Sequence, residues 1–319
     1  MEPRGENGVA VAGEISDDPY VLNDGYRYEE RLGGEASGST LLDYLSERYR
    51  HSSELDWRQR IATGRVLVNG VSVEPSRRLV PGQRLTWQRP PWVEPPAPSS
   101  FAVLYQDADV LAVAKPRGMA AMPGGLFLER TLLRRVGGYD AAASPLHRLG
   151  RGTSGITLFT RHRTARRTLS DSWQRGEVER HYLGLVRGRP QWEELVIEKP
   201  IGQLPHPRLG TVAAIDANGK RATSHVRVLE RREQTSLVAV TIETGRTHQI
   251  RIHLAFAGHP LDRDPLYPVG GVPDAGTRSL PGDVGYLLHA DTLRFPHPST
   301  RATVTVTCQP PPVLRRGCP

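Results

Sequence analysis

The stretch from His147 to Gly155 reads HRLGRGTSG. Its last six residues match G-x-G-x-x-G, the dinucleotide-binding pattern, in which an apolar strand precedes the glycines and a helix follows them. Here residues 144–149, SPLHRL, make a poor buried strand, and residues 156–160, ITLFT, are β-branched and aromatic and predict a strand. A loop followed by a strand excludes the dinucleotide site. Taken alone, the stretch also fits a glycine-rich turn without chemistry.

The length and composition predict a globular protein. A chain of 319 residues has room for one large domain or two unequal ones, with a sizeable core. The mean hydropathy is -0.44, and the sequence contains no apolar run near the length of a bilayer span. Residues 1–6, MEPRGE, lack the apolar core of a signal peptide. We therefore expect a cytoplasmic location and no membrane partner.

The charge balance points to a polyanionic partner. The formal net charge is +8, and all but three of the 42 basic residues are arginine. Arginine binds phosphate in a bidentate manner and stacks on bases, which lysine does not do. A GC-rich genome that favours arginine codons remains an alternative explanation for the bias. The net charge still needs a partner or a solubility role, and it favours a polyanion as the partner.

The metal-binding residue types do not form a metal-site pattern. Cys308 and Cys318 have neither metal-site spacing nor the density of a disulfide scaffold, so we expect them to be incidental thiols. His248 and His253 are five residues apart and miss the i, i+4 spacing of a zinc-binding helix. We expect no metal and no cofactor, nucleotide cofactors included.

The N-terminal third predicts a disordered segment and a small domain. Residues 1–36 are rich in Gly, Glu and Asp and are expected to be mostly disordered. Residues 37–89 predict helices over 41–45, capped by Ser39 or Thr40, and 56–61, a hairpin turning at Asn69-Gly70, and a last strand at 83–87. Residues 90–100 are proline-rich and predict a semi-rigid linker.

Residues 101–310 predict a second, larger domain, and residues 311–319 a C-terminal tail. The expected strands cover 101–105, 109–114, 156–160, 179–186, 221–229 and 237–242, and the expected helices cover 164–174 and 248–257. Many hairpin-linked strands with few helices favour an α+β fold with a mainly antiparallel sheet.

Several segments of the larger domain, in this order, resemble the RluA-type RNA pseudouridine synthases. They are KPRG at 115–118, HRLGRGTSG at 147–155, RHYLGLVRG at 180–188, GKRAT at 219–223, TGRTHQIRIH at 244–253, GHPLDRDPLY at 258–267 and LHADTLRFPHP at 288–298. The unit at 37–89 resembles an S4 RNA-binding domain, although an unrelated small α/β unit with a charged face remains an alternative. The resemblance implies a cofactor-free isomerase that converts uridine to pseudouridine in structured RNA, rRNA or tRNA.

The resemblance also implies roles for individual residues. Tyr182 would stack on the flipped uracil, and Arg148 would fill the vacated position or hold phosphates. Arg251 occupies the position of the arginine that pairs with the family's catalytic aspartate. Further RNA contacts are expected from Arg58, Arg60, Arg65, Arg161, Arg163, Arg166, Arg167, Arg246 and His248. For the 161–167 stretch, a solvated helix face is the alternative.

The chain departs from the family at Gly150, which stands where the catalytic aspartate belongs. Glycine cannot act as a nucleophile or a base. Arg251 would then lack its partner, and we expect water, an RNA phosphate or another carboxylate to answer its charge. The candidate carboxylates are Asp140, expected on a flexible loop, Glu243, Asp262 and Asp264, the last of them a weak candidate. Two functions stay open, an active synthase and an inactive relative that binds and remodels RNA.

Overall fold

The structure is a computed structural model that describes residues 22–50 and 52–318. Its backbone contacts divide the chain into two compact units. The described part of the first unit comprises residues 22–94 and 205–211, and the second comprises residues 95–204 and 212–318. The division between Glu94 and Pro95 falls within the proline-rich stretch 90–100.

The first unit has the helices and hairpin that its sequence predicts. Its elements are β1 (Tyr26–Arg31), α1 (Leu41–Arg48), α2 (Glu54–Ala62), β2 (Val66–Val68), β3 (Val71–Ser72) and β4 (Arg84–Arg89). Thr40 caps α1, and Ser53 caps α2 in a capping box with Asp56. Asn69 and Gly70 both have positive φ, the geometry of a tight type I′ hairpin turn.

The prediction of disorder up to residue 36 is wrong for residues 22–36, whereas residues 1–21 lie outside the described residues. β1 pairs with β4 along its whole length, and the sheet order is β1-β4-β2-β3. The Tyr28 ring stacks on Trp87 with a centroid distance of 5.0 Å, and Leu32 and Ala36 are buried in the unit's core. These contacts are long-range in sequence, so local composition does not reveal them.

The second unit is built on a ten-stranded, mainly antiparallel sheet, which confirms the predicted α+β class. Its elements are β5 (Ala102–Gln106), β6 (Val110–Lys115), α3 (Leu132–Tyr139), β7 (Ser144–Pro145), β8 (Thr153–Thr160), α4 (Arg163–Gln174), β9 (Glu179–Arg187), β10 (Glu194–Glu198), β11 (Ile201–His206), β12 (Gly210–Ile215), β13 (Thr223–Arg231), β14 (Thr235–Ile242), α5 (Gln249–Phe256), β15 (Leu288–Pro296) and β16 (Thr303–Thr307). β11 and β12 form a separate hairpin, of which residues 205–211 group with the first unit.

The centre of this sheet brings distant segments together. The strand order is β10-β13-β14-β9-β15-β8-β6-β5, with β16 beside β15 and β7 beside β8. β15 runs parallel to β8 on one side and antiparallel to β9 on the other, so that Leu288 lies opposite both Thr153 and Gly184. At Gly155, φ is 108°, and a Cβ would lie 2.1 Å from the Ala290 carbonyl oxygen, so only glycine permits this close approach. The loop before β8 therefore lies beside the start of β15.

Two further expectations need correction. Asp140 is the C-cap of α3 and not part of a flexible loop. The C-terminal segment 311–318 packs on the sheet: Leu314 is buried against Leu185 and Leu237. Arg232 donates hydrogen bonds to two carbonyl oxygens of this segment. One buried leucine in a short segment produces no hydrophobic periodicity, so the sequence does not predict that this segment packs on the sheet. In the described part of the chain, no helix is long and apolar enough to span a membrane.

We expect Leu314→Ala to lower the free energy of unfolding by about 2–5 kcal/mol, because it leaves a cavity under the C-terminal segment. The exposed neighbour Arg316 provides the control, and Arg316→Ala should change stability by less than about 0.5 kcal/mol. Urea denaturation of both variants measures the difference. Equal stabilities would show that the C-terminal segment does not contribute to the fold.

Candidate active site

A cleft of about 310 Å³ opens in the second unit where the loop before β8, β9, α5 and the segment before β15 meet. Six of the residues singled out in the sequence line it: Arg148, Gly150, Tyr182, Arg246, His248 and Arg251. The first unit has a larger depression of about 810 Å³, but Arg27 and Glu29 at its rim pair with each other at 2.6 Å. The convergence of the predicted residues makes the smaller cleft the candidate active site.

Tyr182 and Arg180 form one wall of the cleft. Because side chains alternate along a strand, residues 180 and 182 of β9 point to the same face, and both are buried. Burial raises the pKa of Tyr182 and lowers that of Arg180, but an arginine stays a cation at neutral pH. The Arg180 guanidinium lies 5.1 Å from the Trp173 ring centroid, and its Nη2 donates to the Glu243 carbonyl oxygen at 2.6 Å. Its buried Nε has no hydrogen-bond partner among the described residues.

Arg251 is held by Asp264, one of the carboxylates that the sequence offered as a replacement for its missing partner. Nε and Nη2 of Arg251 donate to the two carboxylate oxygens of Asp264, both at 2.7 Å, and both side chains are almost fully buried. The guanidinium lies between two rings, with centroids 4.8 Å away at Tyr267 and 4.3 Å away at Tyr286. Asp264 Oδ1 also accepts hydrogen bonds from the backbone N–H groups of Leu266 and Tyr267. The carboxylate that the sequence made a weak candidate is thus the actual partner.

The other candidate carboxylates are engaged elsewhere. Asp140 accepts a hydrogen bond from Arg161 Nε at 2.6 Å, and Glu243 lies 2.8 Å from His225 Nε2. Asp262 lies 3.5 Å from the exposed Arg263. Among the described residues, no carboxylate side chain lines the cleft. A substitute for the aspartate must therefore come from another kind of group.

The phenol of Tyr286 fills the space in front of Gly150 and Gly152. A Cβ at Gly150 would lie 3.0 Å from the Tyr286 hydroxyl oxygen, and a Cβ at Gly152 would lie 2.7 Å from two carbons of its ring. The Tyr286 hydroxyl is 3.2 Å from the hydroxyl of Thr153. Tyr286 is 136 positions from Gly150 in the chain, so the sequence gives no signal of this contact.

Polar contacts fix the backbone around this tyrosine. Arg151 Nε donates to the Gly282 carbonyl oxygen at 2.8 Å, and Arg117 Nε donates to the Tyr286 carbonyl oxygen at 3.2 Å. The Gly118 N–H donates to the Arg151 carbonyl oxygen at 2.8 Å. Lys115, buried beneath, donates to the carbonyl oxygen of Met119 at 2.8 Å, and burial lowers its pKa to about 7. The KPRG motif thus supports the loop that carries Gly150.

Three basic residues that line the cleft differ in burial and in charge: His248, Arg246 and Arg148. His248 has a left-handed backbone, φ 57°, and its Nδ1 is 2.8 Å from the Tyr267 hydroxyl. Burial and the nearby Arg251 lower its pKa to about 3, so it is neutral and cannot neutralise a phosphate. Arg246 is half-buried and bonded to the Arg221 carbonyl oxygen, whereas Arg148 is exposed.

The remaining basic candidates do not line the cleft. Arg161 is engaged by Asp140, and Arg166 donates to Ser144 and to the Pro145 carbonyl oxygen. Arg163 and Arg167 are exposed on α4 without a carboxylate partner among the described residues. In the first unit, Arg58 pairs with Glu54, Arg60 lies over the Trp57 and Trp87 rings, and Arg65 is exposed. Within the described ranges, no cluster of three or more His, Cys, Asp or Glu is suited to hold a metal ion.

Sequence reasoning missed Arg180, Tyr286, Thr153 and Trp173 as lining residues. Only Arg180 had a usable signal, because strand alternation places it on the face of Tyr182. Trp173 lies at the end of α4, and Tyr286 comes from an irregular loop, so no periodicity points either side chain to the cleft.

We expect Asp264→Asn to lower the free energy of unfolding by about 3–5 kcal/mol, because it leaves the buried Arg251 cation without its partner. Asp262→Asn is the control, since its partner Arg263 is exposed, and it should cost less than about 0.5 kcal/mol. Chemical denaturation measures both. A small effect of Asp264→Asn would contradict the central role of this ion pair.

We expect Gly152→Ala to destabilise the fold by about 1–3 kcal/mol, because its Cβ would overlap the ring of Tyr286. Gly137, exposed within α3, has open space around its Cβ position, so Gly137→Ala should stabilise by about 0.5–1 kcal/mol. Opposite signs in thermal denaturation would confirm the contact. A neutral Gly152→Ala would mean that Tyr286 does not occupy this space.

Comparison with known proteins agrees with this geometry. The family model described as RNA pseudouridylate synthase matches residues 109–256. An uncharacterized RNA pseudouridine synthase of Synechocystis is 40% identical over 86% of this chain and 95% of its own length. RNA pseudouridine synthase 5 of Arabidopsis thaliana is 36% identical over 93% of this chain and 96% of its own length.

A solved structure shows the same relationship. The human RNA pseudouridylate synthase domain containing 1 is 25% identical, with a TM-score of 0.54, over 70% of this chain and 89% of its own. The range that the family model matches includes the loop with Gly150, the strand with Tyr182 and the helix with Arg251. The chain belongs to the RNA pseudouridine synthase family.

Proposed function

We propose that the protein isomerises uridine to pseudouridine in structured RNA, either rRNA or tRNA, and that the target base enters the cleft around Tyr182. The observation that carries this proposal is the buried aromatic side chain beside a buried arginine in a cleft of about 310 Å³. Enzymes that act on a base take it out of the helical stack, at a cost of a few kcal/mol. Stacking of the base on an aromatic side chain in a concave site offsets the free energy lost when the base leaves the helical stack.

Tyr182 is suited to stack on the flipped uracil. Its ring lies in an apolar surrounding that includes Leu149, Ile242 and Leu288, all of which are buried and line the cleft. Stacking of a base on an aromatic side chain contributes about 1–3 kcal/mol. The neutral phenol adds no charge that would repel the uracil carbonyl oxygens.

Arg180 supplies the charge that the reaction needs. When the bond between N1 and C1′ breaks, the electron pair stays on the uracil and makes it an anion. A preorganised cation in a desolvated site stabilises such a charge strongly. The guanidinium of Arg180 has a free Nε, whereas that of Arg251 is already neutralised by Asp264. Arg180 is therefore the cation that can respond to the substrate.

The RNA backbone is expected to follow the exposed arginines. Arg148 stands at the opening of the cleft, and Arg163 and Arg167 are exposed on α4. Cations that neutralise phosphates release counterions, so affinity should fall steeply with salt. In the first unit, two capped helices followed by a hairpin with an Asn-Gly turn support an S4-like RNA-binding role, with Arg58 and Arg65 exposed.

The test is nucleoside mass spectrometry on unmodified ribosomal and transfer RNA incubated with the purified protein. We expect pseudouridine from the wild type. Tyr182→Leu should lower kcat/KM by about tenfold to hundredfold, because stacking is lost. Tyr182→Phe is the matched control and should keep most of the activity, since the ring remains.

The two possible failures are distinct. If the wild type binds these RNAs but forms no pseudouridine, the synthase proposal fails and a binding and remodelling role replaces it. If Tyr182→Leu is as active as the wild type, the protein is a synthase, but the base does not stack on Tyr182.

A further inference from the structure

Tyr286 places a hydroxyl group in the floor of the cleft. The side chain lines the cleft, although only 2% of the residue is exposed. Its oxygen lies 3.2 Å from the hydroxyl of Thr153 and would be 3.0 Å from a Cβ at Gly150. Gly150 is itself exposed and has no side chain that would cover the hydroxyl.

The rest of the cleft assigns this position to one part of a nucleotide. The apolar wall around Tyr182 suits a base, and the exposed Arg148 at the opening suits a phosphate. A ribose lies between the base and the phosphate in any nucleotide. The loop from Arg148 to Gly150 lines the same cleft, and its last residue lies beside the hydroxyls of Tyr286 and Thr153.

Two hydroxyl groups suit a sugar hydroxyl chemically. A phenol and an aliphatic hydroxyl can each donate one hydrogen bond and accept others. The ribose 2′-hydroxyl is also both donor and acceptor, and it distinguishes RNA from DNA. Neither Tyr286 nor Thr153 brings a charge, so both can be satisfied by each other when the cleft is empty and by the sugar when it is occupied.

We propose that the Tyr286 hydroxyl, paired with Thr153, binds the ribose 2′-hydroxyl of the target uridine and makes the cleft selective for ribonucleotides. The inference rests on the proposed function, because it takes the occupant of the cleft to be a uridine nucleotide. Tyr286 is held from both ends: its ring lies on the Arg251 guanidinium, and its carbonyl oxygen accepts a hydrogen bond from Arg117. A hydroxyl fixed in this way loses little freedom on binding.

The contact also has a consequence for the reaction. After the N1–C1′ bond breaks, the uracil must turn while C1′ stays in place for the new bond from C5. C5 then loses its proton and N1 takes one up, so that the product is an isomer of the substrate. A sugar held at its 2′-hydroxyl keeps C1′ within reach of the turning base. Tyr286 acts here as a substrate-contacting positioning group, and it takes no part in proton transfer.

The test compares the binding of uridine 5′-monophosphate and 2′-deoxyuridine 5′-monophosphate by NMR titration. The wild type should prefer the ribonucleotide by about three- to tenfold, the worth of one hydrogen bond. Tyr286→Phe keeps the ring on Arg251 and should bind both nucleotides equally. Tyr105→Phe removes a hydroxyl that bonds Asp107 far along the chain and should keep the preference.

A second variant changes the residue that lies next to the Tyr286 hydroxyl and leaves Tyr286 itself unchanged in sequence. Gly150→Ala keeps the Tyr286 hydroxyl but puts a methyl group 3.0 Å from its oxygen, about where the sugar would approach it. It should also abolish the preference. A wild type without preference, or a preference that survives in either Tyr286→Phe or Gly150→Ala, overturns the assignment of Tyr286.

This experiment separates the inference from the function on which it rests, because it needs no turnover. If the wild type forms pseudouridine but Tyr286→Phe keeps the preference for the ribonucleotide, Tyr286 is wrongly assigned and the synthase proposal stands. If the preference depends on Tyr286 but no pseudouridine forms, the cleft recognises a ribonucleotide and the synthase proposal fails. In the activity assay, Tyr286→Phe should lower kcat more than it raises KM, which a purely structural tyrosine would not do.

Discussion

The buried ion pair between Arg251 and Asp264 is the interaction on which the site depends. A buried arginine that loses its partner destabilises a protein far more than a surface pair does, because its charge is desolvated. Here two parallel hydrogen bonds satisfy the guanidinium fork, and two backbone N–H groups hold the carboxylate in a turn. The pair joins α5 to the segment that follows it and so fixes the start of the long loop before β15.

The same guanidinium provides the platform for Tyr286. The centroid of the Tyr286 ring lies 4.3 Å from the guanidinium carbon of Arg251, and the phenol also packs against Gly150 and Gly152. The two glycines therefore have a steric reason to be there. The absence of a side chain at Gly150 and Gly152 leaves room for the phenol of Tyr286.

The arginines near the cleft differ in what they can do. Arg251 is neutralised and structural, and Arg151 and Arg117 hold the backbone of the loop. Arg180 lines the cleft and has a buried Nε without a hydrogen-bond partner among the described residues. A count of arginines cannot separate these roles, because residue type is the same and only the partner differs. Under the proposed function, this difference between the arginines explains how a site with no lining carboxylate among the described residues can stabilise the charge that develops on the uracil.

The sequence by itself determined the fold class, most of the strands and helices and the family. These follow from local signals: the cap at Thr40, the hairpin turn at Asn69-Gly70, and the order of the motifs. It also placed Arg148, Gly150, Tyr182 and Arg251 in one site. Alternation and capping act over a few residues, so a single sequence reveals them.

Only the tertiary structure decided the partner of Arg251, the order of residues 22–36 and the position of Tyr286. Each depends on contacts between segments far apart in the chain: β1 pairs with β4, and Tyr286 meets Gly150 because β15 lies beside β8. The same holds for the charge of His248, which carries the residue type of a phosphate ligand but is neutral because it is buried beside Arg251. Burial and long-range pairing are properties of the folded chain, and they settle which side chains face the cleft and in which charge state.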